Sequence, residues 1–302
     1  MEDGEITIKS YKGHHNQVVI PSMIGGKPVT NIDYDAFSPE APRTPANIKA
    51  NRMAITTIEL PKHFKGFTSE LWYRDRSQFG PAFRSFIIPN GSNLYSVELL
   101  AELLSLADVD NIESCGEYHI VNSVVYDRSL SIAIGVLKSN ALTTFSLPSS
   151  VRWVASGFWN NFTSLKQIKI SSQLESYGNK SYSRWWNGFS GMKNLHTITL
   201  EGVDVFPKGI VDYCDSIEEI IIAEVISEIP QFAFNSCKSL IRLFIPRSCV
   251  IIGDHALPRV IERSHYGLVA ESHYPKEFAI YCYRDSYAEQ YAKEEDAPIV
   301  YI

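Results

Sequence analysis

Histidine is the residue type in this sequence whose chemistry first suggests a catalytic or metal site. The chain has eight histidines, but they form no HExxH motif, and no GxSxG nucleophile motif is present. His14 and His15 are adjacent, so in an extended strand they would point to opposite faces and would not bind one metal ion together. We therefore assign this pair to a solvated loop.

Two other segments match phosphate and calcium motifs only in part. Gly25-Gly26-Lys27-Pro28 lacks the upstream glycine and the downstream Ser or Thr of a P-loop. Asp108-Val109-Asp110-Asn111 begins like a calcium loop, but the sixth position has no glycine and the twelfth has no glutamate. The sequence therefore predicts a non-enzymatic protein without a catalytic residue, a metal site or a cofactor.

An enzyme stays open as an alternative, with its site in an insertion at residues 90 to 140. Such a site would need ionisable side chains that converge in a pocket. The insertion offers five candidates without a recognisable spacing: Asp108, Asp110, Glu113, Glu117 and His119.

Composition and charge exclude several classes of protein. Of the 302 residues, 45% are hydrophobic and 21% are charged, which excludes wholesale disorder. The 28 Lys and Arg residues against 34 Asp and Glu give a net charge of −6, so nucleic acid is not expected as a partner. No uninterrupted apolar stretch approaches the roughly 18 residues that a membrane span needs.

The five cysteines form neither a CxxC metal pair nor a disulfide-dense pattern. Cys214 and Cys237 are 23 residues apart and occupy the same phase of a repeat. Side chains stacked on neighbouring parallel strands point in parallel rather than at each other, which favours small buried thiols. A disulfide between the two remains the alternative.

A repeat organises the chain, with the form L-x-x-I-x-[IL] and a basic period of about 23 residues. Its last three residues alternate as in a strand. The first apolar column is Ile55, Phe83, Leu142, Leu165, Leu195, Ile217 and Leu240. The second is Ile58, Phe86, Phe145, Ile168, Ile198, Ile220 and Leu243. The third is Leu60, Ile88, Leu147, Ile170, Leu200, Ile222 and Ile245.

Proline follows many of these strands and ends them, because it has a fixed φ and no N–H group. These prolines are Pro21, Pro61, Pro89, Pro148 and Pro246. A second pattern then recurs at offsets 0, 3, 7 and 8, as in Val29, Ile32, Ala36 and Phe37, or in Cys249, Ile252, Ala256 and Leu257. One thin coil does not bury its apolar face alone, so we expect successive coils to stack.

Segments such as 233–240 and 245–253 resemble the BspA-like class of leucine-rich repeats, known mainly from surface proteins of host-associated bacteria. Residues 6–30 resemble the first coil of that family, and residues 278–302 resemble its closing strand and short helix. The resemblance implies one right-handed leucine-rich-repeat solenoid over residues 1–302, an α/β fold rich in β-structure. It would have one parallel sheet on one side and short turns or irregular segments on the return side. The family also implies a cell-surface or secreted location.

Three segments depart from the repeat. In residues 90 to 140 we predict a short helix at residues 98–107, followed by a hairpin of Tyr118 to Val125 and Leu130 to Val136 around Asp127-Arg128. Residues 174 to 190 lengthen one coil by a loop rich in Tyr, Ser and Trp. We expect residues 258 to 275 to form a third loop, before a C-terminal cap at about 278–302.

Candidate binding residues come from the strand positions that face away from the core. They form a predicted row of nine residues: Val19, Glu59, Ile87, Ser146, Lys169, Thr199, Ile221, Phe244 and Tyr281. The last five are the predicted binding residues. The row ends in three apolar residues where exposed sheet normally carries polar ones, which is typical of a binding surface. The alternatives are that another segment covers these residues, or that they are ordinary strand-forming residues.

Trp185 and Trp186 are further candidates, because consecutive residues of an extended segment do not both face inward. Their alternative role is to seal the enlarged coil. Taken together, the sequence favours a binding or adhesion module for a protein or glycan partner. The competing reading is a structural repeat scaffold without a dedicated ligand.

Overall fold

The computed structural model describes most of the chain and divides it into two compact units. The described residues are 4–33, 35–41, 44–68, 79–89, 92, 97–106, 118–137, 142–155, 157–171, 174, 188–189, 191–201, 203, 206–207, 209–211, 214–263 and 269–302. The first unit comprises residues 1–129, 133–138 and 155–161. The second comprises residues 130–132, 139–154 and 162–302.

The first unit contains ten short strands, two α-helices and one 3-10 helix (Phe158–Asn161) among its described residues, with only Ile132 of the tenth strand in the other unit. The strands are β1 (Ile6–Ile8), β2 (Gln17–Val19), β3 (Met23–Ile24), β4 (Lys27–Asp33), β5 (Thr57–Glu59), β6 (Gly66–Thr68), β7 (Ser85–Ile87), β8 (Tyr118–Val121), β9 (Val124–Asp127) and β10 (Ile132–Val136). The helices are α1 (Ala46–Met53) and α2 (Val97–Leu106). Strands β2, β5 and β7 form a parallel sheet in that order.

Arg52 of α1 is a buried cation that the sequence patterns did not predict; it is only 3% exposed. Its guanidinium donates to the backbone oxygens of Tyr11 and Ser38 and to Oγ of Ser10. Burial lowers the pKa of this guanidinium. Because a buried charge needs partners for its donors, Arg52 ties the first coils to α1.

The second unit is built around a seven-stranded sheet in which all pairs are parallel. Its strands in spatial order are β11 (Thr144–Leu147), β13 (Gln167–Ile170), β14 (Thr197–Leu200), β15 (Glu219–Ile222), β17 (Arg242–Phe244), β21 (Ala279–Cys282) and β22 (Ile299–Tyr301). The other elements are β12 (Trp153–Val154), β16 (Glu228–Ile229), β18 (Ile251–Ile252), β19 (Val260–Arg263), β20 (Val269–His273) and α3 (Tyr287–Glu294).

The three predicted apolar columns form the core. Every member is buried except Leu142 and Phe145, which are half-buried. The two return-side sets quoted above are buried as well. The register of the repeat is therefore confirmed. The described strands that carry these columns lie in two separate sheets, so one continuous sheet is not confirmed, and a right-handed solenoid over residues 1–302 stays a prediction.

The insertion at residues 90 to 140 contains the predicted helix, but its strands are arranged differently from the prediction. Helix α2 confirms the short helix to within one residue at each end. The predicted strand from Tyr118 to Val125 is wrong, because the chain reverses at Asn122-Ser123, where φ is 50° and 66°. Left-handed backbone at both central residues matches the twist of a two-residue hairpin, so β8, β9 and β10 form an antiparallel meander.

The third predicted loop is also wrong, because β19 and β20 pair as an antiparallel hairpin within residues 258 to 275. His265 lies outside the described residues, as does almost all of the 174 to 190 loop. The closing strand and helix are confirmed as β21 and α3. Ser286 caps α3 by accepting a hydrogen bond from the Glu289 N–H at 3.2 Å.

Candidate ligand-binding face

The five predicted row residues lie side by side on the seven-stranded sheet. Lys169, Thr199, Ile221, Phe244 and Tyr281 are Cα partners in consecutive strand pairs. Parallel pairing in register aligns equivalent positions, and the period of two turns them all away from the buried columns. We call this set the outward row. The geometric part of the prediction is confirmed, while the role in binding stays a prediction.

The aromatic end of the outward row is a stacked pair. The rings of Phe244 and Tyr281 lie 4.5 Å apart between centroids at an angle of 29°. Stacking covers part of each ring, which explains why these side chains are half-buried rather than fully exposed. The pair therefore forms a rigid apolar surface next to Ile221.

The C-terminal strand extends the outward row by one residue that sequence reasoning missed. Val300 of β22 is the Cα partner of Tyr281, and 39% of its surface is exposed. The signal was available, because Ile299-Val300-Tyr301 is a short run of strand-forming residues at the end of the cap. The terminal segment thus lies beside the aromatic pair, as a further strand.

Ion pairs flank the outward row. At the end opposite the aromatic pair, Lys169 Nζ pairs with a carboxylate oxygen of Glu201. Two positions before Phe244 and Ile221 on the same strands, Arg242 Nε donates to Glu219 Oε1 at 2.6 Å, and this hydrogen bond raises the pKa of Arg242. Exposed pairs of this kind contribute about 0 to 1 kcal/mol each, so they set the polarity of the face more than its stability.

The tryptophan candidates cannot be added to this geometry, because Trp185 and Trp186 lie outside the described residues. After the tryptophans, the described chain resumes at Gly188, which has a φ of 50°. A Cβ atom at Gly188 would come within 2.2 Å of the Ile210 carbonyl oxygen, so the backbone at this end of the loop is packed against a neighbouring segment.

The cysteines of the second unit are buried thiols. Cys214, Cys237, Cys249 and Cys282 are each at most 3% exposed. Burial raises the pKa of Cys249 to about 11 and also raises the pKa of Cys282. A thiol that stays protonated at neutral pH is a poor nucleophile and a poor metal ligand. This agrees with the prediction of small buried residues.

His14 and His15 lie outside any strand and are both exposed, so their assignment to a solvated loop is confirmed. Their ring centroids are 4.4 Å apart, so the geometry of an extended strand does not apply to this pair. Within the described ranges, no group of three or more His, Cys, Asp or Glu residues has the arrangement of a metal site. Among the enzyme candidates, His119 lies on β8, and the four acidic residues lie outside those ranges.

Comparison with protein families identifies the repeat. Residues 119–187 and 186–262 match the model described as BspA type Leucine rich repeat region (6 copies). The chain contains a leucine-rich-repeat region of the BspA type at residues 119–262. The matched residues include five of the strands that carry the BspA-type columns and four of the five members of the outward row. No protein with a curated description matches the chain.

Three solved structures are similar to this chain. A leucine rich cell surface protein from Faecalibacterium prausnitzii A2-165 is 15% identical, with 90% of this chain and 95% of that chain covered and a TM-score of 0.37. A leucine-rich repeat protein from Bacteroides ovatus is 14% identical, with coverages of 100% and 96% and a TM-score of 0.39. The pneumococcal vaccine antigen PcpA is 14% identical, with coverages of 99% and 68% and a TM-score of 0.35. Similarities at this level carry no argument about function.

No helix in the described part of the chain is long and apolar enough to cross a membrane.

Proposed function

We propose that this protein is a non-enzymatic binding or adhesion module that presents the outward row to a protein or glycan partner. The observation that carries the proposal is the stacked pair of Phe244 and Tyr281 beside Ile221, in a row aligned across five strands. Large aromatic residues on a rigid surface are the usual hot spots of interfaces. Lys169 and Thr199 would supply the polar contacts at the other end of the row.

The proposed location is a bacterial cell surface or the secreted space, and a host molecule is one partner class that fits it. Support comes from the BspA-type repeat. The competing function is a structural scaffold without a ligand. The two differ in one property, because a scaffold needs its outward residues only for solubility.

The experiment begins with a panel of immobilised extracellular proteins and glycans, probed with the purified chain by biolayer interferometry. With the ligand that binds, Phe244→Ala should weaken affinity by about 2 kcal/mol, or roughly 30-fold. The matched control is Val19→Ala, an exposed apolar residue of the first unit's parallel sheet, which should bind like the parent. Equal affinities of the parent and Phe244→Ala would reject the outward row as the site.

The two tryptophans are tested on the same ligand. Trp185→Ala or Trp186→Ala should weaken binding by about 2 kcal/mol or more while the melting temperature stays nearly constant. Loss of stability with unchanged affinity per folded molecule would assign both residues to packing of the enlarged coil.

A further inference from the structure

Two arginines in the last coils of the second unit are held against tyrosine rings. The guanidinium carbon of Arg247 lies 4.7 Å from the ring centroid of Tyr283, and that of Arg284 lies 4.1 Å from the ring centroid of Tyr301. A cation over an aromatic face is attracted to the ring, and stacking restricts the long arginine side chain. Both guanidiniums are therefore oriented before any ligand arrives.

These two arginines are neighbours. They follow the paired residues Phe244 and Tyr281 by three positions each on adjacent strands. Nη1 of Arg247 donates to the backbone oxygen of Arg284 at 3.4 Å, which holds the side chain of the first arginine across the backbone of the second. The two cations thus share one small area beyond the carboxyl ends of β17 and β21.

Neither arginine has a carboxylate partner in the part of the chain that the structure describes. Arg259 shows the contrasting case, because it stacks on Tyr274 at 4.0 Å and also pairs with Glu295 at 3.3 Å. The guanidinium of Arg259 therefore already has a carboxylate partner within the chain. Arg247 and Arg284 are exposed and keep N–H donors that such an acid would otherwise occupy.

An acidic residue beside the second stack, Glu289, is engaged with other partners. Glu289 is 8% exposed and accepts hydrogen bonds from Lys293 Nζ at 2.7 Å, from Tyr301 Oη at 2.7 Å and from the Asp285 N–H at 2.6 Å. Its carboxylate therefore anchors the ring of Tyr301 under Arg284 without pairing with the arginine itself. The Tyr301 ring is thus fixed by Glu289, while the exposed guanidinium of Arg284 is accessible to an external anion.

We propose that Arg247, Arg284 and their tyrosines form a binding site for an acidic saccharide, one that carries carboxylate or sulfate groups. A guanidinium binds both kinds of oxyanion through paired N–H donors. Tyr301, which is 40% exposed as a residue, offers an amphipathic surface for the apolar face of a sugar next to the charge. This site goes beyond the proposed function and does not use the outward row.

The test measures binding of four probes to the whole chain by isothermal titration calorimetry. They are an oligogalacturonate, a chondroitin sulfate oligosaccharide, neutral dextran and a poly-glutamate peptide. We expect both acidic saccharides to bind, with affinity falling as salt rises, and dextran not to bind. If poly-glutamate binds with equal or higher affinity, the ligand would be an acidic peptide and the saccharide proposal would be rejected. If the parent binds neither acidic saccharide, the proposed site would be rejected.

Variants show whether the two arginines carry the binding. Arg247→Gln with Arg284→Gln should weaken it at least tenfold, while the exposed Arg152→Gln should leave it within twofold of the parent. Arg247→Lys with Arg284→Lys keeps the charge but loses the planar donor pair, and should weaken it at least threefold. Full affinity in the lysine variant would reduce the site to unspecific charge attraction and overturn the proposal. Because Phe244→Ala leaves these arginines intact, failure of one proposal is distinguishable from failure of the other.

Discussion

Single side chains decide which face of each strand is buried. Ile220 has no exposed surface and lies between Ile198 and Leu243 in the second column, while the next residue, Ile221, faces outward and is half-buried. Two adjacent isoleucines therefore have different roles, one in the core and one on the outer face of the sheet. Only the register of the sheet distinguishes them.

Ile220→Asp should abolish cooperative unfolding. A buried carboxylate without a partner costs several kcal/mol, and each coil is stabilised by its neighbours. The measurement is a thermal melt followed by circular dichroism, with Thr199→Asp on the outward row as the control that should melt near the parent. A cooperative melt of Ile220→Asp at the parent's temperature would show that the register is wrong.

Glu289 links the stability of the C-terminal cap to pH. Hydrogen bonds from Lys293, Tyr301 and the Asp285 N–H lower its pKa to about 2. Because the folded pKa lies below the ordinary value of about 4.3, the stabilisation is complete above that value and is lost as pH falls towards 2. Glu289→Gln should melt below the parent at pH 6, with a difference that shrinks between about pH 4 and pH 2. The exposed Glu294→Gln is the control, and a difference that stays constant with pH would contradict the linkage.

At the scale of elements, apolar spacing was sufficient to predict the strands that carry the three columns, since each coil repeats the same three inward positions. It also predicted α2 and the alignment of the five row residues, while α3 was implied by the family resemblance. It missed the turn at Asn122-Ser123, because the strand-forming residues on both sides give no break and neither residue is a glycine. It missed the hairpin of β19 and β20, because the prolines and histidines in that segment are typical of a loop. It missed Val300, because the cap was predicted to contain one strand followed by a helix, with no strand after the helix.

The turn at Asn122-Ser123 gives a prediction at this scale. Ser123 has a φ of 66°, which costs a non-glycine residue roughly 1 to 2 kcal/mol relative to its usual backbone. Ser123→Gly should therefore raise the free energy of unfolding by about 1 kcal/mol, and Ser123→Val should lower it. Urea denaturation of the three proteins makes the comparison. A less stable glycine variant would mean that the hydroxyl side chain itself stabilises the meander.

At the scale of the whole molecule, the chain combines a net charge of −6 with local surfaces of different character. The outward row changes from ion-paired at Lys169 to aromatic at Tyr281, and the stacked arginines form a cationic area in an acidic protein. A repeat fold permits this, because inward residues maintain the core while outward residues vary freely. Both proposals accordingly place binding on these surfaces.

A double variant at the centre of the outward row tests whether this row binds the partner. Thr199→Glu with Ile221→Arg places opposite charges on two paired positions beside Lys169, so cross-strand pairing should preserve the fold. The bulk and charge should exclude a partner from the row. We predict an unchanged melting temperature and at least tenfold weaker binding of the ligand identified on the panel. An unchanged melting temperature with unchanged affinity would contradict binding through the outward row.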